Sequence, residues 1–154
     1  MIEVLEIPVF LTDPSLSEKY FGAYPQLSLP GYKNCQYISL ELNKNSMVII
    51  YLMEIKDSQI NTALCDRIIP LAPFCMMLLA GETFVVNNFH EIYKERYETP
   101  LVCIHPKKGS DFDLTYVKNV VIQNNKNLLI DFDPEDTQLL QPILAKALKH
   151  IFEL

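Results

Sequence analysis

A chain of 154 residues, 49% hydrophobic and 21% charged, is long enough for one sizeable core and too apolar for wholesale disorder. Its formal net charge is -6, and its basic clusters are no denser than Lys94-Glu95-Arg96 and Lys107-Lys108, which excludes a phosphate-backbone track and a nucleic-acid partner. The amino terminus, MIEVLEIPVFLTD, carries glutamates where a secretion signal carries positive charge, and no segment reaches roughly 18–20 consecutive apolar residues, so a cytoplasmic protein without membrane contact is expected.

Glu3 to Leu11 is β-prone, with Pro8 pointing to an edge position or an early bend. Thr12 to Tyr32 is the least regular stretch, broken by three prolines and two glycines, with a short helix expected at Ser15 to Phe21 behind Asp13-Pro14. Ser17, Tyr20, Phe21 and Tyr24 can pack there as one aromatic patch. Cys35 to Leu42 alternates polar and apolar residues, Asn43-Lys44-Asn45 is turn-forming, and Met47 to Ile55 is almost continuously apolar. An antiparallel hairpin is expected.

Asp57 to Leu71 suits a helix capped by Asp57 or Ser58, with Ile60, Leu64, Ile68 and Leu71 at helical spacing and Pro70 and Pro73 as stops. Phe74 to Ala80 suits a central strand covered on both faces. Phe84 to Tyr97 is an amphipathic helix with Phe89, Ile92, Tyr93 and Tyr97 on one face and His90 expected toward solvent. Pro100 to His105 is another short buried strand. Asp111 to Val121 suits a helix capped by Asp111 or Asp113, although its valines lower the propensity. Asn124 to Asn127 is a turn, Leu128 to Phe132 a strand, and Thr137 to Leu154 a closing helix. Its regular part is expected from about Gln141-Pro142, because a mid-helix proline costs about 3 kcal/mol. This order predicts one α/β domain over residues 1–154: a mostly parallel sheet with one antiparallel hairpin and helices on both faces.

Three stretches carry a family resemblance. NKNSMVIIYLMEIKD is similar to the second and third strands of Ras-like small GTPases, leading into their switch II loop. APFCMMLLAG followed by NFHEIYKERYETPLVCIH resembles the fourth strand, third helix and fifth strand, and NLLIDFDPEDTQLLQPILAKALKHIFEL resembles the last strand and closing helix. The likeness covers roughly Gln36 to Leu154 and is nearest to bacterial gliding-motility (Mgl-type) GTPases. It implies a Ras-like three-layer α/β/α fold in which an irregular segment replaces the phosphate loop and first helix.

The family's nucleotide loops do not survive. In place of G-x-x-x-x-G-K-[ST] the chain has TDPSLSEKYFG, whose Asp13 and Glu18 repel phosphate. In place of D-x-x-G, Asp57 is kept and Ile60 stands where the glycine belongs. In place of the Asn-Lys-x-Asp loop that reads guanine, the chain runs His105 to Lys108, with the Lys108 cation where a carboxylate belongs. Asp131 keeps the acidic start of the last loop, but no small residue follows it. No catalytic residue, cofactor or metal is expected in that reading, which is a non-catalytic pseudo-GTPase that binds a protein partner such as a GTPase regulator or motility component. Tyr20, Phe21, Tyr24 and Tyr32 are its candidate docking residues.

Two other readings stand beside it. The acidic balance suits a small α/β binding protein, such as an immunity protein or secretion chaperone, with a basic partner. The carboxylates Asp131, Asp133, Glu135 and Asp136 offer a metal-dependent enzyme, although acidic residues are also favourable near a helix start without any ligand. Cys35, Cys65, Cys75 and Cys103 lie at wide spacings in apolar runs, which favours buried reduced thiols over zinc or disulfides. His90, His105 and His150 are too separated to form a ligand set. His105, two residues after Cys103 and so on the same strand face, is the best catalytic candidate, weighed against a structural role.

Overall fold

The β-prone amino-terminal run forms β1 (Glu3–Leu11), and in the computed structural model, which describes residues 2–31, 35–55 and 62–153, this strand lies inside the sheet. It is followed by α1 (Pro14–Phe21), β2 (Leu27–Ser28), β3 (Cys35–Asn43), β4 (Ser46–Glu54) and α2 (Thr62–Ile68), which runs into a 3-10 turn (Ile69–Leu71). Then come β5 (Cys75–Leu78), α3 (Thr83–Arg96), β6 (Leu101–Pro106), a π-helical turn (Val117–Val121), β7 (Leu128–Phe132) and α4 (Leu140–Phe152). The strand order is β2-β3-β4-β1-β5-β6-β7. β1 runs parallel to β4 and β5, and β5, β6 and β7 continue in parallel. The predicted hairpin is β3 and β4, and β2, unforeseen in the irregular stretch, pairs antiparallel with β3.

Pro8 therefore sits in an interior strand, and the edge reading is corrected. The Glu3 N–H donates to Asn45 and the Leu11 carbonyl accepts from Ile55, so the odd-numbered residues of β1 direct their main-chain groups toward β4. Pro8 consequently faces β5, whose pairing begins only at Val9. The missing N–H falls just before the ladder that would have needed it.

The sheet is covered on both faces. Ile7, Val9 and Leu11 of β1 point into a layer with Phe21 of α1 and Leu140, Ile143, Leu144 and Ala147 of α4. Phe10 points the other way, toward Leu64 and Cys65 of α2, Phe89 and Tyr93 of α3, and Val117 and Val121 of the π turn. All four residues of β5 are buried, as expected of a strand covered on both sides. Pro142 is the third residue of α4, inside the first turn, where its missing N–H leaves no helical bond unmade. The helix expected over Asp111 to Val121 is shorter: Asp113 accepts from the Thr115 N–H at 2.9 Å, and the turn behind it is π-helical. The first five residues of the expected 57–71 helix, among them Asp57 and Ile60, lie outside the described residues, as does Tyr32.

His90 does not face solvent: it is 4% exposed. Tyr116 donates its hydroxyl to the Glu91 carboxylate, so the phenol oxygen is left to accept from His90 Nδ1 at 2.9 Å, which places the proton of the neutral ring on Nδ1. Burial pushes the His90 pKa below its ordinary 6.5, Lys94 lowers it further, and Glu91 opposes both. The fold therefore prefers neutral His90 while the unfolded chain takes up a proton near pH 6.5. The stability gained is present above that pH and is lost as pH falls through the lower folded value. Urea unfolding between about pH 7 and 5 should show stability dropping with acid, and His90→Asn should flatten that drop. Asp13, Glu91 and Asp113 also have lowered values, which place their own titration below this window.

Candidate functional site

Ligands of open α/β sheets gather at the carboxyl ends of the strands, where the chain switches from one side of the first strand to the other. Here that point is the end of β1, flanked by β4 and β5. The groups found there belong to the chain itself. Thr12 Oγ1 donates to the Ala80 carbonyl at 3.2 Å, tying the end of β1 to the end of β5. Gly81 has φ +84°, and a Cβ on it would lie 2.2 Å from Thr12 Oγ1 and 3.6 Å from Leu16 Cδ1. Thr12 and Leu16 therefore leave no room for a side chain at Gly81.

The start of α1 is occupied too. Asp13 is its N-cap: its carboxylate accepts the Ser15 N–H at 2.9 Å and its carbonyl accepts the Leu16 N–H at 3.0 Å. The bonds from Ser15 hold the Asp13 carboxyl below its usual range. An incoming phosphate would compete with a resident anion for the Ser15 N–H. Beside these groups a cleft of about 680 Å³ is open at the carboxyl ends of β1 and β4, lined by Leu11, Pro14, Ser15, Glu18, Leu52 and Glu54 among others. It has two carboxylates and no lysine or arginine among its described lining residues, a poor setting for phosphate.

The loops after β6 and β7 lie on the same end of the sheet. His105 and Asp131 are register partners on neighbouring strands, and His105 Nδ1 lies 2.9 Å from Asp131 Oδ1. Where the resemblance places base-reading groups, this pair ties β6 to β7. Lys108 is exposed in the turn that follows, and Ser110 Oγ reaches back to the Leu79 carbonyl at 3.5 Å. Asp133 and Asp136 accept the N–H groups of Glu135 and Gln138, forming turns of their own. Among the described residues, no group of three or more His, Cys, Asp or Glu is placed to hold a metal ion.

No protein-family model matches this chain, and no significant match to it was found among curated proteins.

The four cysteines are free and buried, and burial pushes the Cys103 thiol up to about 12, so its proximity to His105 in sequence yields no reactive thiolate. His150 Nε2 donates to the Asn125 carbonyl, a local tie at the chain's end. Among the docking candidates, Tyr20 and Phe21 are corrected to core residues: Tyr20 is 4% exposed with its ring edge-on to Phe132, and Phe21 is wholly buried. Tyr24 is half-buried and its hydroxyl accepts the Leu140 N–H at 3.1 Å, capping α4. The exposed aromatic at the start of α3 is Phe84, 77% exposed, which no periodicity singled out. Thr12 and Gly81 were also missed, although a Thr-Asp-Pro stop after a strand and a glycine after an apolar run are readable turn signals. No helix among the described residues is long and apolar enough to cross a membrane.

Proposed function

We propose that this protein is a Ras-like module without nucleotide chemistry that acts by contact with a protein partner, such as a GTPase regulator or a motility component. The observation that carries the reading is the Thr12–Leu16 turn. Its threonine bonds the Ala80 carbonyl and its aspartate holds the Ser15 N–H, at the end of β1 and the start of α1, where Ras-like GTPases hold phosphate. The strand order supports the Ras-like part, with a hairpin on one side of β1 and three parallel strands on the other. The absence of a resident base-reading carboxylate beside Lys108 supports the loss of guanine recognition. A small acidic binding protein with a basic partner is the second reading, favoured by the Glu18–Glu54 cleft.

Thermal unfolding tests the loss of nucleotide binding. A ligand at about one hundred times its Kd stabilises a fold by about 2.7 kcal/mol. With GTP, GDP or ATP and magnesium at about that excess over a micromolar Kd, the midpoint is expected to stay where it is without nucleotide. A rise of several degrees with any of them would sink the reading.

A further inference from the structure

The sheet ends at β7, and no further strand among the described residues pairs with its outer side. The Phe132 carbonyl accepts from the Lys107 N–H at 2.9 Å, so Phe132, Ile130 and Leu128 direct their main-chain groups to β6. The alternation of a strand then turns the N–H and C=O of Leu129 and Asp131 outward. Groups in that arrangement are what an incoming strand pairs with. Beside the edge, between β7 and α4, runs a groove of about 560 Å³. Lys146, Lys149 and His150 line its α4 side and Lys107 its β6 side, against the carboxylates of Asp131 and Glu153. Asp131 is already engaged by His105, and none of the three lysines has an ion-pair partner among the described residues.

We propose that the free edge of β7 takes an extended acidic peptide segment of a partner protein as an eighth strand, its carboxylates meeting Lys107, Lys146 and Lys149. This rests on the protein-contact reading above and gives it a place and a partner chemistry. The main-chain bonds supply an affinity that is indifferent to sequence, and the lysines supply the selection. The same charges disfavour pairing of this edge with the edge of a second copy, because like charges would meet. The chain's net charge of -6 opposes an acidic partner at long range, so the attraction is local and weakens as salt rises.

The test titrates isotope-labelled protein with the peptide acetyl-VEVEVE-amide and follows backbone amide shifts and hydrogen exchange. The expected result is saturable shifts along β7, slowed exchange at Leu129 and Asp131, and no binding of acetyl-VKVKVK-amide. Lys146→Glu with Lys149→Glu should weaken binding by about tenfold or more. Leu129→Pro removes an outward N–H without touching the β6 ladder and should abolish binding while the circular dichroism is kept. Equal binding of the two peptides, or unchanged exchange at Leu129 and Asp131, would overturn the proposal. So would protection at those amides that grows with protein concentration alone, which would mean a second copy. None of these outcomes bears on nucleotide binding, so this proposal can fail while the module reading stands.

Discussion

Phe10→Ala is expected to destabilise the protein by about 3–5 kcal/mol, seen in urea unfolding and as a fall of roughly 10 °C or more in Tm. Phe10 is wholly buried on an interior strand, and its ring lies 4.6 Å from that of Phe89 and 6.2 Å from that of Tyr93. It is the point where the sheet meets the α2–α3 layer. Truncation to Ala removes a large apolar side chain and leaves a cavity whose walls belong to different elements and cannot all close in. A loss below about 1 kcal/mol would contradict the packing of α3 on β1.

Gly81→Ala is expected to cost about 2–4 kcal/mol for two separable reasons. The left-handed backbone at φ +84° penalises any side chain by roughly 1–2 kcal/mol. The new methyl would also meet Thr12 Oγ1 at 2.2 Å and force apart the Thr12–Ala80 bond that ties β1 to β5. Thr12→Ala removes that oxygen and leaves Cβ at an ordinary 3.4 Å. The double variant Thr12→Ala with Gly81→Ala should therefore recover the contact part and keep the backbone part. Strict additivity of the two substitutions would contradict the close approach of Thr12 to Gly81.

The strands and amphipathic helices were legible because they follow local periodicity. The β3–β4 hairpin reads from its alternation and Asn-rich turn, and α4 reads from its apolar stripe, with Pro142 marking its first turn. What failed depended on partners distant in sequence. Pro8 reads as an edge residue only if both sides of its strand are paired along their whole length, and β5 is four residues long and begins late. His90 falls on the wet face of α3 by spacing, but Tyr116, 26 residues away, covers it. Tyr20 and Phe21 sit in a proline-rich stretch that looks like surface, yet α1 lays them on the sheet. β2 is two residues long, too short for any period.

At the candidate site, the absence of a Gly-x-x-x-x-Gly-Lys-Ser run was plain in TDPSLSEKYFG. The Thr12–Ala80 tie was less so, because it joins residues 68 positions apart. The His105–Asp131 tie likewise needs the register of β6 against β7, which spacing alone does not supply.

The most direct measurement of whether the Thr12–Leu16 turn has replaced a phosphate site is an amide-resolved titration with magnesium and GTP, GDP or ATP, following Asp13, Ser15 and Leu16. With the Ser15 and Leu16 N–H groups already held by Asp13, no saturable shift is expected at these amides up to about millimolar nucleotide. Saturation at about micromolar concentrations, centred on Ser15 and Leu16, would show that Asp13 yields to phosphate and would contradict the loss of the site.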